Sequence, residues 1–222
     1  MKVYLINSVY RYGSTGHICA AIKETLIKAG HKCRVAYGRK KIENEEFFFQ
    51  TNMGIAKHML FSHITDRHGE YSNKETKKLI NDIKKYEPDI IHLHNIHGYY
   101  LNYEKLFGFL KEYNKPVIWT LHDCWAFTGH CAYFDVSGCE KWKEQCYHCT
   151  LKSNYPKSIW RDRSFKNYLH KKEMFTQIEN MQIITSSEIH IVLSCDGTSM
   201  LKNNKNKSFE KAVIKVLEGM IY

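Results

Sequence analysis

Four cysteines fall within nineteen residues, at the spacing Cys131-x7-Cys139-x6-Cys146-x2-Cys149. Thiolates are soft ligands. Four of them close a tetrahedral zinc site and leave no position open for a catalytic water. His148 lies inside the closing Cys-x2-Cys and could replace one thiolate, although four cysteines already suffice. The same spacing also fits reduced thiols packed in an aromatic-rich stretch, or two disulfides, which a reducing cytosol disfavours. A structural zinc at Cys131, Cys139, Cys146 and Cys149 is the expectation, with the other two states left open. Cys19, Cys33, Cys124 and Cys195 read as ordinary core or loop residues.

A second group is rich in histidine. Alternation along Asp89-Ile90-Ile91-His92-Leu93-His94 puts His92 and His94 on one face of a strand, near its C-terminal end. His97, His122 and Asp123 fall at or just beyond neighbouring strand ends. Neutral imidazole can donate to or accept from a sugar hydroxyl, and protonated imidazole can face phosphate. His92 reads more readily as a satisfied interior histidine, and His94 as nearer the exposed edge. A third group is the loop Tyr12-Gly13-Ser14-Thr15-Gly16-His17. Its glycines let backbone approach a ligand, and the following helix would aim its N–H groups at phosphate. The text is neither GxGxxG nor GxxxxGK[ST], so a plain glycine turn with a Ser/Thr helix cap fits it equally well.

These residues need a frame that brings them together. Residues 2–7 have the pattern of a buried strand, and 17–29 of a helix that stops at Gly30. Residues 32–37 form a second strand, giving a βαβ unit and hence a parallel sheet. Helices are expected at about 53–64, 73–86 and 101–113, and strands at 47–49, 89–93, 116–121 and 182–185. The expected fold is α/β, a Rossmann-like doubly wound parallel sheet with a Cys-rich inserted loop at 123–157. Its core should include Val3, Leu5, Ile18, Ile22, Leu26, Ile80, Ile90, Leu93, Val117 and Ile118. Such folds hold ligands outside the C-terminal ends of their strands. A basic helix with interleaved aromatic residues is expected over 158–180. It reads either as a membrane-surface helix or as a domain helix with one core face and one solvated face. Residues 187–222 read as a divergent tail, with a strand near 189–194 and a short helix near 208–219.

Composition narrows the class. The 222 residues carry a net charge of +10 and only three prolines, so the chain is globular rather than disordered. The absence of an 18-residue apolar run excludes a spanning helix, and the first residues lack a signal peptide's apolar core, so a cytoplasmic location is expected. The basic excess points to an anionic partner or to a merely solvated surface. It is spread evenly, with no zinc-finger or RNA-recognition motif, so nucleic acid is not the expected partner.

The opening strand, GSTG loop and helix, then DIIHLHNIHG and TLHDCWAFTGHCAYFDVSGCEKWKEQCYHC, resemble the N-terminal half of glycosyltransferase family 4. More narrowly, they resemble its bacterial members that build capsule, exopolysaccharide and lipopolysaccharide. The resemblance covers about residues 1–186. It implies a GT-B fold, in which two Rossmann-like domains face a cleft. The N-terminal domain takes the acceptor, and the C-terminal one holds the nucleotide-sugar with a Glu-x7-Glu acidic pair. Transfer would retain anomeric configuration without an obligatory metal. Gly13, Ser14, Thr15 and Gly16 would face the donor diphosphate, and His94 would sit beside the transferring sugar with His122 and Asp123 on the adjacent loop. The acceptor would be a glycan or lipid-linked sugar, and an anionic membrane surface becomes a natural partner for a protein peripheral to the inner face of the membrane. After Ser187 the text departs from the family: no donor domain or Glu-x7-Glu context follows. The chain is therefore expected to be the acceptor-side half, truncated and poorly active alone. The alternative is a non-catalytic module that holds glycan or a phosphorylated lipid-linked sugar, or that partners a separate donor-binding subunit.

Overall fold

The computed structural model describes residues 1–42, 46–134 and 137–185. The strand and helix expected in the tail, and Cys195, lie outside the described residues. The element order is β1 (Lys2–Asn7), α1 (Gly13–Lys28), β2 (Lys32–Tyr37), β3 (Phe47–Phe48), α2 (Asn52–Thr65), α3 (Asn73–Tyr86), β4 (Ile90–Leu93), α4 (Tyr103–Tyr113), β5 (Val117–Leu121), α5 (Ser164–Thr176) and β6 (Met181–Thr185). The six strands form one sheet in the order β3-β2-β1-β4-β5-β6, and every neighbouring pair is parallel. This is the doubly wound Rossmann order, with its chain reversal between β1 and β4.

The pleat of each strand feeds two cores. Val3 and Leu5 of β1, Val35 and Tyr37 of β2, Ile90 of β4 and Ile118 of β5 pack with Cys19, Ile22 and Leu26 of α1. Tyr4 and Ile6, Ile91 and Leu93, and Val117, Trp119 and Leu121 face the other way, against Leu79 and Ile83 of α3, Leu106, Phe107 and Leu110 of α4, and Phe175 of α5. Burial on both faces explains why the strands read as near-continuous apolar runs. Each fully buried aliphatic or aromatic side chain contributes about 1.5–3 kcal/mol. One polar tie crosses the second layer. Arg34 of β2 makes a two-pronged ion pair with Asp82 of α3 at 2.7 and 2.8 Å, and the Tyr4 hydroxyl donates to the same carboxylate at 2.6 Å.

Three expectations need correction. Helix α1 begins at Gly13 rather than at His17, so the glycine loop is the helix's own first turn. Ile18 and Ile80 lie at the margins of the two cores, half-buried. The basic helix is shorter than 158–180, because backbone N–H groups before Ser164 have tertiary partners. Ile159 N–H donates to the His63 carbonyl, and Arg163 N–H donates to the Asp66 carboxylate at 2.7 Å. Asp162 then accepts from the Ser164 amide and hydroxyl, which starts α5 where it does.

Candidate active site

β1 and β4 lie side by side, but the chain leaves β1 for α1 on one face and β4 for α4 on the other. The C-terminal ends of these strands therefore open into a crevice, the place where this topology binds ligands. Asn7, the last residue of β1, is fully buried there. Its side-chain oxygen accepts from the Asn95 amide at 3.2 Å. Its amide nitrogen donates to the Val9 carbonyl at 2.8 Å and to the Thr15 hydroxyl at 3.3 Å. One side chain thus joins the end of β1, the start of α1 and the exit of β4.

His92 and His94 share a face, as alternation requires, with ring centroids 4.2 Å apart. His92 pairs with the Thr120 hydroxyl of β5 at 2.9 Å and is an interior histidine. His94 is 1% exposed, so it does not sit at an open edge. The sheet's own backbone and side chains cover it: its amide donates to the Ile6 carbonyl and its carbonyl accepts from the Trp119 indole at 3.0 Å. His94 Nδ1 lies 3.0 Å from His122 Nε2, the two rings are stacked, and His94 Nε2 has no partner. Burial and the neighbouring imidazoles push His94 well below its ordinary value and His122 down to about 4. Both rings are therefore neutral at pH 7, and His94 Nε2 has one hydrogen bond to offer.

Asp123 is held by a third histidine. His97 Nε2 contacts its Oδ2 at 2.7 Å and His97 Nδ1 meets the Tyr155 hydroxyl at 3.0 Å, while the Trp125 amide donates to Asp123 Oδ1. Burial alone would raise the Asp123 carboxyl; the His97 contact outweighs it and holds the group below its ordinary range. His94, His97, His122, Asp123 and Trp125 line a cavity with room for about one water molecule. The structure therefore brings His94, His122 and Asp123 together. Asn7 and Tyr155 were not expected at the site. Asn7 reads as one more strand residue, and Tyr155 is 32 residues from Asp123 in a loop without periodicity.

Gly13 and Ser14 are exposed at the start of α1, Thr15 is half-buried and Gly16 is buried. No side chain caps this helix. Gly13 has a φ of +63°, a backbone conformation that favours glycine. A Cβ on Gly16 would come within 3.3 Å of the Tyr10 and Arg11 backbone and the Val9 side chain, so loop packing by itself already favours glycine there.

The cysteine stretch folds back on α5. Cys149 shares a hydrogen bond with Cys131, which lowers the Cys131 thiol and raises that of Cys149. Burial raises Cys146, partly offset by the Gly129 backbone amide beside it. No disulfide links the described cysteines. Beside them Lys171 is 3% exposed and donates to the Trp125 carbonyl at 2.6 Å. Burial lowers its amine to about 7, against the pull of Cys146, Cys131, Asp66 and Asp123. Among the described residues, three metal-type ligand atoms cluster within 4.8 Å of one another at a different place, Asp66, His68 and His130. No helix among the described residues is long and apolar enough to cross a membrane.

Comparison with known proteins gives the family. Over 96 residues the chain is 36% identical to the "Putative colanic acid biosynthesis glycosyl transferase WcaC" of Escherichia coli K12. That alignment takes in 41% of this chain and 23% of the relative, so the chain spans well under two thirds of the curated protein it matches. Among solved structures it is similar to SsfS6, a glycosyltransferase of Streptomyces sp. SF2575, at 12% identity and a TM-score of 0.36, covering 55% of this chain and 40% of that one. The profile of Glycosyltransferase Family 4 matches residues 16–172, most of the described sequence, and the chain belongs to that family.

Proposed function

We propose that this chain is the acceptor-side domain of a retaining glycosyltransferase. The reaction would move a sugar from a nucleotide-sugar to a cell-surface polysaccharide or its lipid-linked precursor. The observation that carries the reading is the His94–His122 pair at the β1/β4 switch point, with an unpartnered nitrogen on His94. A neutral imidazole held by a second imidazole can orient a sugar hydroxyl at the crevice through the one water that the cavity beside it has room for, and orienting the reactants supplies a large part of catalysis. Asp123, kept anionic by His97, adds a fixed negative charge beside it. The exposed first turn of α1, Gly13 to Thr15, would face the donor diphosphate. A second Rossmann-like domain, joined or separate, would hold the nucleotide. A structural zinc at Cys131, Cys139, Cys146 and Cys149 would stabilise the segment that carries Asp123 and Trp125. The exposed Ile159, Trp160, Phe165 and Leu169, beside Arg161 and Lys166, suit peripheral binding to the anionic inner face of a membrane.

The test is sugar transfer from UDP- and GDP-sugars to lipid-linked acceptors, measured with the donor domain supplied. His94→Ala should cut turnover at least ~100-fold, in the range of lost orientation or acid–base groups, while acceptor-free thermal unfolding changes by only a few degrees. A fully active His94→Ala enzyme would remove the site. The non-catalytic alternative predicts acceptor binding without transfer in any combination.

A further inference from the structure

We propose that Asp66, His68 and His130 form a binding site for a divalent cation of the zinc class, separate from the four cysteines. Asp66 caps the C-terminal end of α2 in a left-handed conformation, His68 follows two residues later, and His130 comes from the cysteine-rich segment. All three are buried. Asp66 Oδ1 lies 2.6 Å from His130 Nδ1 and 3.1 Å from His68 Nε2, and the two imidazole rings meet edge to face at 5.3 Å.

The His68 contact is the informative one. Its Nε2 stands within ion-pair distance of the carboxylate oxygen but is poorly aligned for a hydrogen bond, its Nδ1 is buried with no partner, and so is Nε2 of His130. Buried imidazole nitrogens without a partner are costly, and native folds seldom keep two in one cluster without a reason. Two ligand atoms aimed at a common third point show this geometry: near each other, yet not pointing at each other. Ligands of a tetrahedral zinc with bonds of about 2.0 Å stand roughly 3.3 Å apart, so the Asp66–His130 contact would lengthen on loading while the Asp66–His68 distance is already close to fitting.

The surroundings are those of a supported site. The second oxygen of Asp66 accepts from the Arg163 amide at 2.7 Å, and its backbone carbonyl accepts from Asn167 at 2.7 Å. Metal-binding carboxylates are commonly fixed by such outer contacts. Three protein ligands leave one position for water. The ion would tie the end of α2, the cysteine-rich segment and the start of α5 to one point. That point anchors, at its base, the segment that carries Asp123, Trp125 and Tyr155 into the crevice. The ion's role would be structural.

The experiment uses the full chain, stripped with a chelator under reducing conditions and reloaded with zinc or cobalt(II). Metal per chain is measured for the parent, for the double variant Cys146→Ser/Cys149→Ser and for His68→Leu. One ion should persist in the cysteine double variant. His68→Leu should bind that ion at least ~100-fold more weakly and lose the rise in melting temperature that zinc gives. Without metal, His68→Leu should melt within a few degrees of the parent, because Asp66 keeps its contacts to His130 and the Arg163 amide. Cobalt bound at the proposed site absorbs weakly in the visible and lacks the strong near-ultraviolet band of a thiolate ligand, a readout that needs no variant. Parent-like zinc binding by His68→Leu would overturn the proposal, as would a thiolate band on all of the bound cobalt. Metal content is independent of sugar transfer, so failure here leaves the reading of the crevice standing, and the converse holds too.

Discussion

Lowering the pH from 7.5 to 5.5 should cost this domain at least about 4 kcal/mol of stability, through histidines that the fold keeps neutral. His58, His92 and His94 are each 1% exposed or less. Burial, reinforced by a neighbouring imidazole, pushes His58 and His92 down to about 3 and His94 well below its ordinary value. In the unfolded chain each returns to about 6.5. Between those values the unfolded state binds protons that the native state refuses, so stability falls as the pH drops below about 6.5. One pH unit below it, each residue contributes about 1.4 kcal/mol, and three give about 4. Against a total of roughly 5–15 kcal/mol this is a large fraction. The assay is urea unfolding at both pH values with a chelator present. With a slope of about 2–3 kcal/mol/M, the midpoint should drop by roughly 1.5–2 M. His92→Gln, which keeps a partner for the Thr120 hydroxyl, should remove about 1 kcal/mol of the effect. A midpoint that is flat or rising toward pH 5.5 would refute the reasoning, since these rings would then have to be protonated or solvated in the native state.

Two further outcomes concern the cysteine-rich segment. A Cβ on Gly129 would lie 2.1 Å from the Ser164 carbonyl oxygen and 2.7 Å from the Cys146 Cβ. Backbone cannot move aside cheaply, so Gly129→Ala should destabilise by about 3 kcal/mol in chemical unfolding, at the upper end for overpacking. Loss under 0.5 kcal/mol would mean that the segment does not dock on α5 as described. If zinc occupies the four cysteines, Cys146→Ser should lower the zinc content and speed proteolysis between residues 123 and 157, and a zinc-free parent with freely titrating thiols would discard that site.

The sheet was legible because buried parallel strands leave short apolar runs between amphipathic helices. β1, β2 and β4 stand within a residue of their expected places, and α3 spans 73–86 as the lysine-flanked pattern implies. The exact start of α1 and the shortened α5 were not legible, because long-range partners set them. Asn7 and Thr15 tie down the first turn of α1, and the Asp66 carboxylate with the His63 carbonyl occupies the N–H groups before Ser164. A local pattern carries no information about a partner a hundred residues away.

The crevice divides in the same way. His94, His122 and Asp123 could be named from sequence because strand alternation and topology fix where strand ends point. Asn7 could not, since a polar residue ending an apolar strand resembles any other strand terminus until its three hydrogen bonds are seen. Asp66 and His68 carry still less signal: they stand in a turn, Thr65-Asp66-Arg67-His68-Gly69, with an ordinary surface composition. What makes them unusual is burial, and His130 reaches them from 62 residues beyond His68. The cysteine-rich segment thus has two sets of candidate anchors: four sulfurs that announce themselves by spacing, and an imidazole that the sequence hides beside Cys131. Either set would hold the segment that carries Asp123 and Trp125, and the nitrogen- and oxygen-bound ion is the anchor that oxidation of the cysteines would leave in place.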